Sequence, residues 1–339
     1  MNLTTSYLGL ELPHPLIVGS SPIANDLELL KATAKAGAAA IVVHSLFQEQ
    51  IVREEKDAVD FEESMGIYSP EALSFFPHTE AFYNQPDEYL RKIKTIKRSV
   101  DIPVIGSLNG TTPGNWLRYA GLIEEAGADA LELTIYTIPT DPTTDGAGVE
   151  QMAYDMVAEA RKALRIPLTV KIGPVYSSLP HFARQLDQLG IDGLVLFNRF
   201  FHPDIDVESL EVERRLVLTR PTDLLFRLRW LAILSACERR YDLVVNGGVT
   251  SGLDAIKAIM CGADAVQLVS ALLAKGPHRL AEIREEMSHW MEENAYESLR
   301  QMKGSMDLRH CPEASAFERA NYVHILQNWD RDPSAMPRA

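Results

Sequence analysis

The sequence predicts an α/β chain folded as a single (β/α)8 TIM barrel with long inserted loops at its carboxyl face. Three observations carry that prediction. A short phrase recurs four times ahead of an apolar run: AGAAAIVV at 36–43, AGADALEL at 126–133, LGIDGLVL at 189–196 and CGADAVQL at 261–268. Each time a helix-like stretch stops on Gly37, Gly127, Gly190 or Gly262, as a left-handed helix end requires. The runs that follow lack polar alternation, which marks strands buried on both faces. With the intervening runs the strands number eight, separated by helix-length segments, and that is the pattern of a barrel.

In chain order, LIVGSS at 16–21 opens the barrel and the first repeat supplies the second strand. DIPVIGSL at 101–108 is the third, the second repeat the fourth, and RIPLTVKI at 165–172 the fifth. The third repeat, YDLVVNGG at 241–248 and the fourth repeat complete the set. The link after the second strand spans 45–101, with an acidic stretch at 54–63, an aromatic one at 75–83 and a helix near 86–98. Its length suits a cover over the barrel mouth. TIPTDPTTDGAG at 137–148 is too rich in Pro, Gly, Thr and Asp for regular structure. GPVYSSLP at 173–180 follows the fifth strand, and FFHPDID follows the sixth, before a basic, apolar helix near 224–240. Residues 1–302 are read as the barrel, and 303–339 as decoration whose last ten or so residues fray.

With 339 residues, 46% of them apolar, one barrel with insertions accounts for the chain. A net charge of −14 argues against nucleic acid or an anionic membrane as partner. The opening lacks the order of a signal peptide, no apolar run approaches membrane-spanning length, and cytoplasm is the expected location. Cys237, Cys261 and Cys311 have no metal-like spacing, so no zinc or iron–sulfur site is expected, and Cys261 is placed to pack.

The strongest functional signal is NGGVTSGLDAIKAIMCGADAVQLVSALLAKGP at 246–277. The seventh strand ends on Gly247-Gly248 and the eighth at Ser270-Ala271, the two loops that barrels use to hold phosphorylated ligands. Paired glycines let backbone N–H groups approach an anion. Thr250 or Ser251 is placed to cap the next helix, with Asp254 at its positive end.

From 1 to 302 the chain resembles the FMN-dependent dihydroorotate dehydrogenases, above all their soluble cytosolic branch. The likeness is strongest at 246–277 and clear at GSSP in the first strand and VKIGP around Lys171. It implies one FMN, its phosphate held at Gly247, Gly248, Ser270 and Ala271. It also implies that Ser20 and Ser21 lie against the isoalloxazine, Lys171 faces the pyrimidine edge and Asn198 lines the site. Apart from the likeness, Lys171 sits in a run otherwise buried on both faces and needs an anionic partner. A reduced flavin supplies one, and so does an ion pair with Glu132 in the adjacent strand.

The chain departs from that family on the substrate side. Where the cytosolic enzymes read Asn-Leu-Ser-Cys-Pro-Asn, with the cysteine as base, this chain reads Thr134-Ile135-Tyr136-Thr137-Ile138-Pro139. Thr137 takes the base position and both amides are gone, while Tyr136, the nearest alternative acid or base, points the other way by strand alternation. His44-Ser45 replaces a lysine near the flavin, with His44 able to supply positive charge or a proton. Glu63-Ser64-Met65-Gly66 replaces an Asn-Ser-Met-Gly phrase.

The resemblance thus implies an FMN-dependent oxidoreductase acting on CH–CH donors, passing hydride from a small-molecule substrate to flavin N5, with dihydroorotate turned over slowly or not at all. Two alternatives are a flavin-free phosphate-binding lyase or isomerase, and a flavin subunit that only transfers electrons. No GxGxxG nicotinamide phrase and no cysteine cluster identifies the electron acceptor, and a homodimer is expected.

Overall fold

The computed structural model describes residues 1–52, 86–199, 203–213 and 217–327. The stretches at 54–63 and 75–83, the Glu63–Gly66 phrase, the start of FFHPDID and the end of the tail lie outside the described residues.

Parallel strands close into an eight-stranded barrel: β1 (Leu16–Val18), β2 (Ile41–Val42), β3 (Val104–Gly110), β4 (Ala130–Ile135), β5 (Leu168–Ile172), β6 (Gly193–Leu196), β7 (Asp242–Asn246) and β8 (Ala265–Leu268). Each pairs with its sequence neighbours, and β8 closes on β1 with Val266 opposite Leu16, so the sheet has no free edge. Every run read as a strand forms one. The four glycines that end the helices before β2, β4, β6 and β8 have φ of +99°, +96°, +79° and +103°, the left-handed values their sequence phrase demands.

Helices wrap the outside: α1 (Leu27–Lys35), α2 (Pro86–Ser99), α3 (Tyr119–Glu125), α4 (Gly146–Ala163), α5 (Leu179–Gln188), α6 (Pro221–Ser235), α7 (Gly252–Met260), α8 (Ser270–Lys275) and α9 (His278–Glu293). The helix read at 224–240 starts and ends earlier. Pro221 occupies its first turn, and the Asp223 carboxylate accepts the Arg220 N–H at 2.8 Å, which sets the entry point. Before α7 the cap is Ser251, whose hydroxyl accepts the Asp254 N–H at 3.2 Å while Asp254 accepts the Ser251 N–H at 3.0 Å.

The barrel interior is layered, and the layers place the site. Ile17, Val42, Ile105, Val195 and Val244 fill the lower part. Beneath them an N-terminal hairpin (Thr5–Tyr7 with Leu10–Leu12), not anticipated from sequence, inserts Tyr7, Leu8 and Leu12 as a plug. Its fit is tight: a Cβ on Gly193 would stand 2.7 Å from Thr169 Oγ1 and 2.9 Å from Leu8 Cδ2. With the amino end closed by apolar packing, polar side chains facing inward collect at the carboxyl end. A second hairpin missed in the sequence, Asp204–Asp206 with Glu211–Glu213, rises in the loop after β6. Beyond Lys303 the chain docks on the outer helices, with Met306 N–H bonded to Met260 O and Leu308 N–H to Ala232 O. Cys261 is buried, as its place before β8 implied. Among the described residues no helix is long and apolar enough to cross a membrane.

Candidate active site at the carboxyl end of the barrel

Strand alternation turns Glu132 and Thr134 of β4, Lys171 of β5 and Gln267 of β8 inward, and all four are buried. Lys171 Nζ donates to Glu132 Oε1 at 3.1 Å and to Gln267 Oε1 at 3.2 Å, and Gln267 Nε2 donates to Glu132 Oε2 at 2.5 Å. Glu132 is fully buried and Lys171 only 4% exposed, so the three side chains satisfy one another in place of water. Of the two anions weighed for Lys171, Glu132 is therefore its partner, and burial alone no longer demands a flavin there. Gln267 was missed, although one amide in an otherwise apolar strand was a visible signal.

Hydroxyls line the ends of the first three strands. Ser45 Oγ lies 2.8 Å from Ser107 Oγ and 3.4 Å from Ser20 Oγ, which links the ends of β1, β2 and β3. Ser21 is buried and its hydroxyl has no hydrogen-bond partner among the described residues. His44 packs edge-on against the Tyr89 ring at 5.2 Å. Burial, with the Lys92 charge adding to it, pushes the imidazole down to about pKa 4. A ring held at that pKa favours the neutral form at pH 7.

The third group is the corner where β7 and β8 end. Gly247 and Gly248 have φ of +89° and +82°, and a Cβ on Gly248 would stand 2.5 Å from the Leu224 backbone nitrogen. No other residue fits there without moving α6. The Gly248 N–H donates to Thr219 Oγ1 at 3.0 Å. Ser270 Oγ accepts both the Thr219 N–H at 3.0 Å and the Thr219 hydroxyl at 2.8 Å. Ala271 is buried in the first turn of α8. Thr219 is a second residue that sequence reasoning missed, since nothing local marks a loop threonine that meets two strands across the barrel.

The base candidates stand apart from these groups. Thr137 is half-buried and its hydroxyl points to Thr111 O at 3.5 Å, with no base in hydrogen-bonding reach among the described residues. Tyr136, also half-buried, directs its backbone N–H to Gly110 O at 3.2 Å. Asn198 follows β6, its N–H bonded to Ile172 O at 2.8 Å, which holds it at the mouth.

FMN fits what these groups offer: a glycine corner that a Cβ would fill, a shelf of hydroxyls running from it across β1 to β3, and an unpartnered buried hydroxyl at Ser21. Gly19 joins corner to shelf, because its N–H bonds Leu268 O at 3.1 Å and a Cβ there would strike Val269 at 2.8 Å.

The family model for dihydroorotate dehydrogenase matches residues 2–291. A relative from Thermoplasma acidophilum, named dihydroorotate dehydrogenase B (NAD(+)), catalytic subunit, is 26% identical over 322 residues, covering 89% of this chain and 98% of its own. A protein of the same name from Pyrococcus abyssi is 27% identical over 316 residues, covering 89% and 98%. A match spanning nearly the whole barrel, on a closed eight-stranded fold with its polar groups gathered at the carboxyl end, places this chain in the dihydroorotate dehydrogenase family.

Proposed function

We propose that this chain is an FMN-dependent oxidoreductase that oxidises a CH–CH donor other than dihydroorotate. The observation that carries the reading is the Gly247-Gly248 corner. Its left-handed backbone and its contact with α6 admit no side chain, which supports the reading of this corner, where barrels hold phosphorylated ligands, as the phosphate site. When bound, FMN supplies a hydride acceptor.

The remaining roles belong to side chains. Gly247, Gly248, Ser270 and Ala271 hold the phosphate, Ser20, Ser21 and Ser45 support the ring, and Asn198 orients what lies at the mouth. Lys171, held in register by Glu132 and Gln267, presents positive charge to the ring edge from a fixed position. Thr137 is the group placed to handle the substrate proton, with Tyr136 and neutral His44 as the alternatives. Among the described residues Thr137 has no basic neighbour, so its hydroxyl works through water or through a group brought by the substrate.

The altered substrate side supports a different donor. Thr134 and Pro139 stand where amides gripped a pyrimidine, and a site that loses such partners loses selectivity on the order of 10⁴-fold. A flavin-free lyase using Lys171 as a Schiff-base amine is disfavoured, since Nζ is already engaged by Glu132 and Gln267. The relatives are named catalytic subunits, which supports a partner protein that receives the electrons. A homodimer and a cytoplasmic location belong to the same proposal.

Flavin release from purified protein, followed by anaerobic reduction with a substrate panel that includes dihydroorotate, tests the reading. Stoichiometric FMN, bleached by a panel member other than dihydroorotate, is expected. Absence of flavin overturns it, and flavin that no donor bleaches favours an electron-transfer subunit. A kcat/KM on dihydroorotate of about 10⁴ M⁻¹s⁻¹ or more would return the chain to the family's named reaction.

A further inference from the structure

We propose that Arg227 is a side-chain ligand of the flavin phosphate, a guanidinium that α6 carries into the β7–β8 corner to neutralise the dianion. The proposal rests on the FMN reading above.

Arg227 is 8% exposed, an uncommon burial for an arginine. Two of its nitrogens are spent on positioning: Nε donates to Asn246 O at 2.5 Å and Nη1 to Asp223 O at 2.7 Å. Both acceptors are backbone carbonyls, so neither neutralises the charge. Among the described residues Nη2 makes no hydrogen bond and the guanidinium forms no ion pair. That remaining nitrogen faces Gly247: a Cβ there would stand 3.1 Å from Nη2 and 3.2 Å from the Thr219 methyl. Gly247 therefore lies in a slot with the guanidinium on one side and Thr219 on the other.

A largely buried guanidinium whose free fork still reaches the surface, with Asp223 near but not ion-paired to it, is better satisfied when an anion completes it. The surroundings sharpen the demand. Burial and the neighbouring Arg199 both disfavour the charge on Arg227, and only Asp223 opposes them. Arg199 is itself half-buried, with an Nη1 that has no hydrogen-bond partner among the described residues. Arg199 is close enough for its charge to act on Arg227, so two arginines with donors to spare share this region. Ser270 adds a further donor, because its oxygen accepts twice from Thr219 and its own proton is left to give. Planar guanidinium donors and the Ser270 hydroxyl form a donor set that suits a phosphate monoester. A carboxylate ligand would use fewer of them.

A purely structural Arg227, tying α6 to β7, is the competing explanation, and riboflavin separates the two because it lacks only the phosphate. Apoprotein is titrated with FMN and with riboflavin, following flavin fluorescence, in the wild type and in Arg227→Gln and Arg227→Lys. Wild type should bind FMN the more tightly. Arg227→Gln should weaken FMN by about 10- to 100-fold, the worth of a charge-assisted hydrogen bond, and leave riboflavin unchanged. Arg227→Lys, which keeps charge but not the fork, should fall between them. Inorganic phosphate should raise the melting temperature of wild-type apoprotein and not that of Arg227→Gln. An unchanged FMN-to-riboflavin ratio, or an equal loss of both ligands, overturns the proposal and leaves Arg227 structural. Should Arg227→Gln fail to fold, Arg227→Lys decides: an FMN-to-riboflavin ratio equal to that of wild type overturns the inference. A wild type that binds neither flavin refutes the FMN reading itself, a separate failure.

Discussion

The Tyr89 hydroxyl holds both backbone groups of Ser107, donating to its carbonyl at 3.0 Å and accepting its N–H at 2.8 Å. The contact fills a break in the barrel wall. β2 pairs with β3 as far as Ile105, and the chain returns to β3 only where Leu46 meets Leu108, so Ser107 falls in the gap. The gap is where His44 and Ser45 turn toward the mouth.

Tyr89→Phe removes one hydroxyl and leaves two buried backbone groups unsatisfied. A loss of about 1–3 kcal/mol is expected, which for a chain of this size lowers Tm by several degrees. Chemical denaturation of wild type and variant measures it, and equal stability would mean that water replaces the hydroxyl. Flavin content should fall as well, because Ser107 carries the Ser45 hydroxyl.

Glu132 and Lys171 are expected to be strongly coupled. Removing either partner alone leaves a buried charge and should destabilise by about 3–5 kcal/mol. Replacing both, as in Glu132→Gln with Lys171→Met, should cost much less than the sum of the single changes. Additive effects in that cycle would show that Gln267 and solvent compensate each charge separately. The pairing also means that Lys171→Ala tests folding and flavin reduction together, so reduction potential has to be measured on the folded fraction.

In Gly248→Val a side chain would strike the backbone of α6, 2.5 Å away, at a φ of +82°. Loss of stability should accompany loss of FMN, and a normal melting curve in this variant would contradict the observed packing.

Two histidines set the acid limb of stability. His14 Nε2 lies 2.6 Å from Gly37 O and its Nδ1 accepts the Leu16 N–H at 3.3 Å, an arrangement that only the neutral ring satisfies. Burial brings both His14 and His44 to about pKa 4, below the ordinary 6.5. The unfolded chain therefore binds protons that the folded one refuses. Stability is full above about pH 6.5 and falls toward pH 4, by up to about 3 kcal/mol for His14. Unfolding free energies across that range check this, and His14→Gln should flatten the slope.

Asp242 acts in the opposite sense at the amino end of the barrel. Burial first, then the Asp264 charge, raise it from 3.8 to about 6, while its Oδ2 accepts the Leu8 N–H at 2.8 Å. The folded state holds this proton more tightly than the unfolded one, so its contribution is present below about pH 4 and lost as pH rises through 6. Asp242→Asn keeps the acceptor without the charge and should stabilise the protein above pH 6 by on the order of 1 kcal/mol. No gain at pH 8, measured by denaturation, would contradict it.

The eight strands, the glycine helix ends and the Gly247-Gly248 corner were legible because each is a local property of the chain. Burial on both faces removes polar alternation, and a left-handed turn needs glycine whatever surrounds it. The partnership of Glu132, Lys171 and Gln267 was legible only as a choice, since sequence places a lysine in a buried strand but does not say which anion meets it. The neutrality of His44, Tyr89 in the wall and Thr219 over Ser270 left no local trace. Their meaning comes from groups dozens of residues away, joined by closure of the barrel. The sequence by itself determined which residues face inward and where the chain must turn. The tertiary structure alone decided which inward groups meet, because burial sets hydrogen-bond partners and charge states through distance in space rather than along the chain.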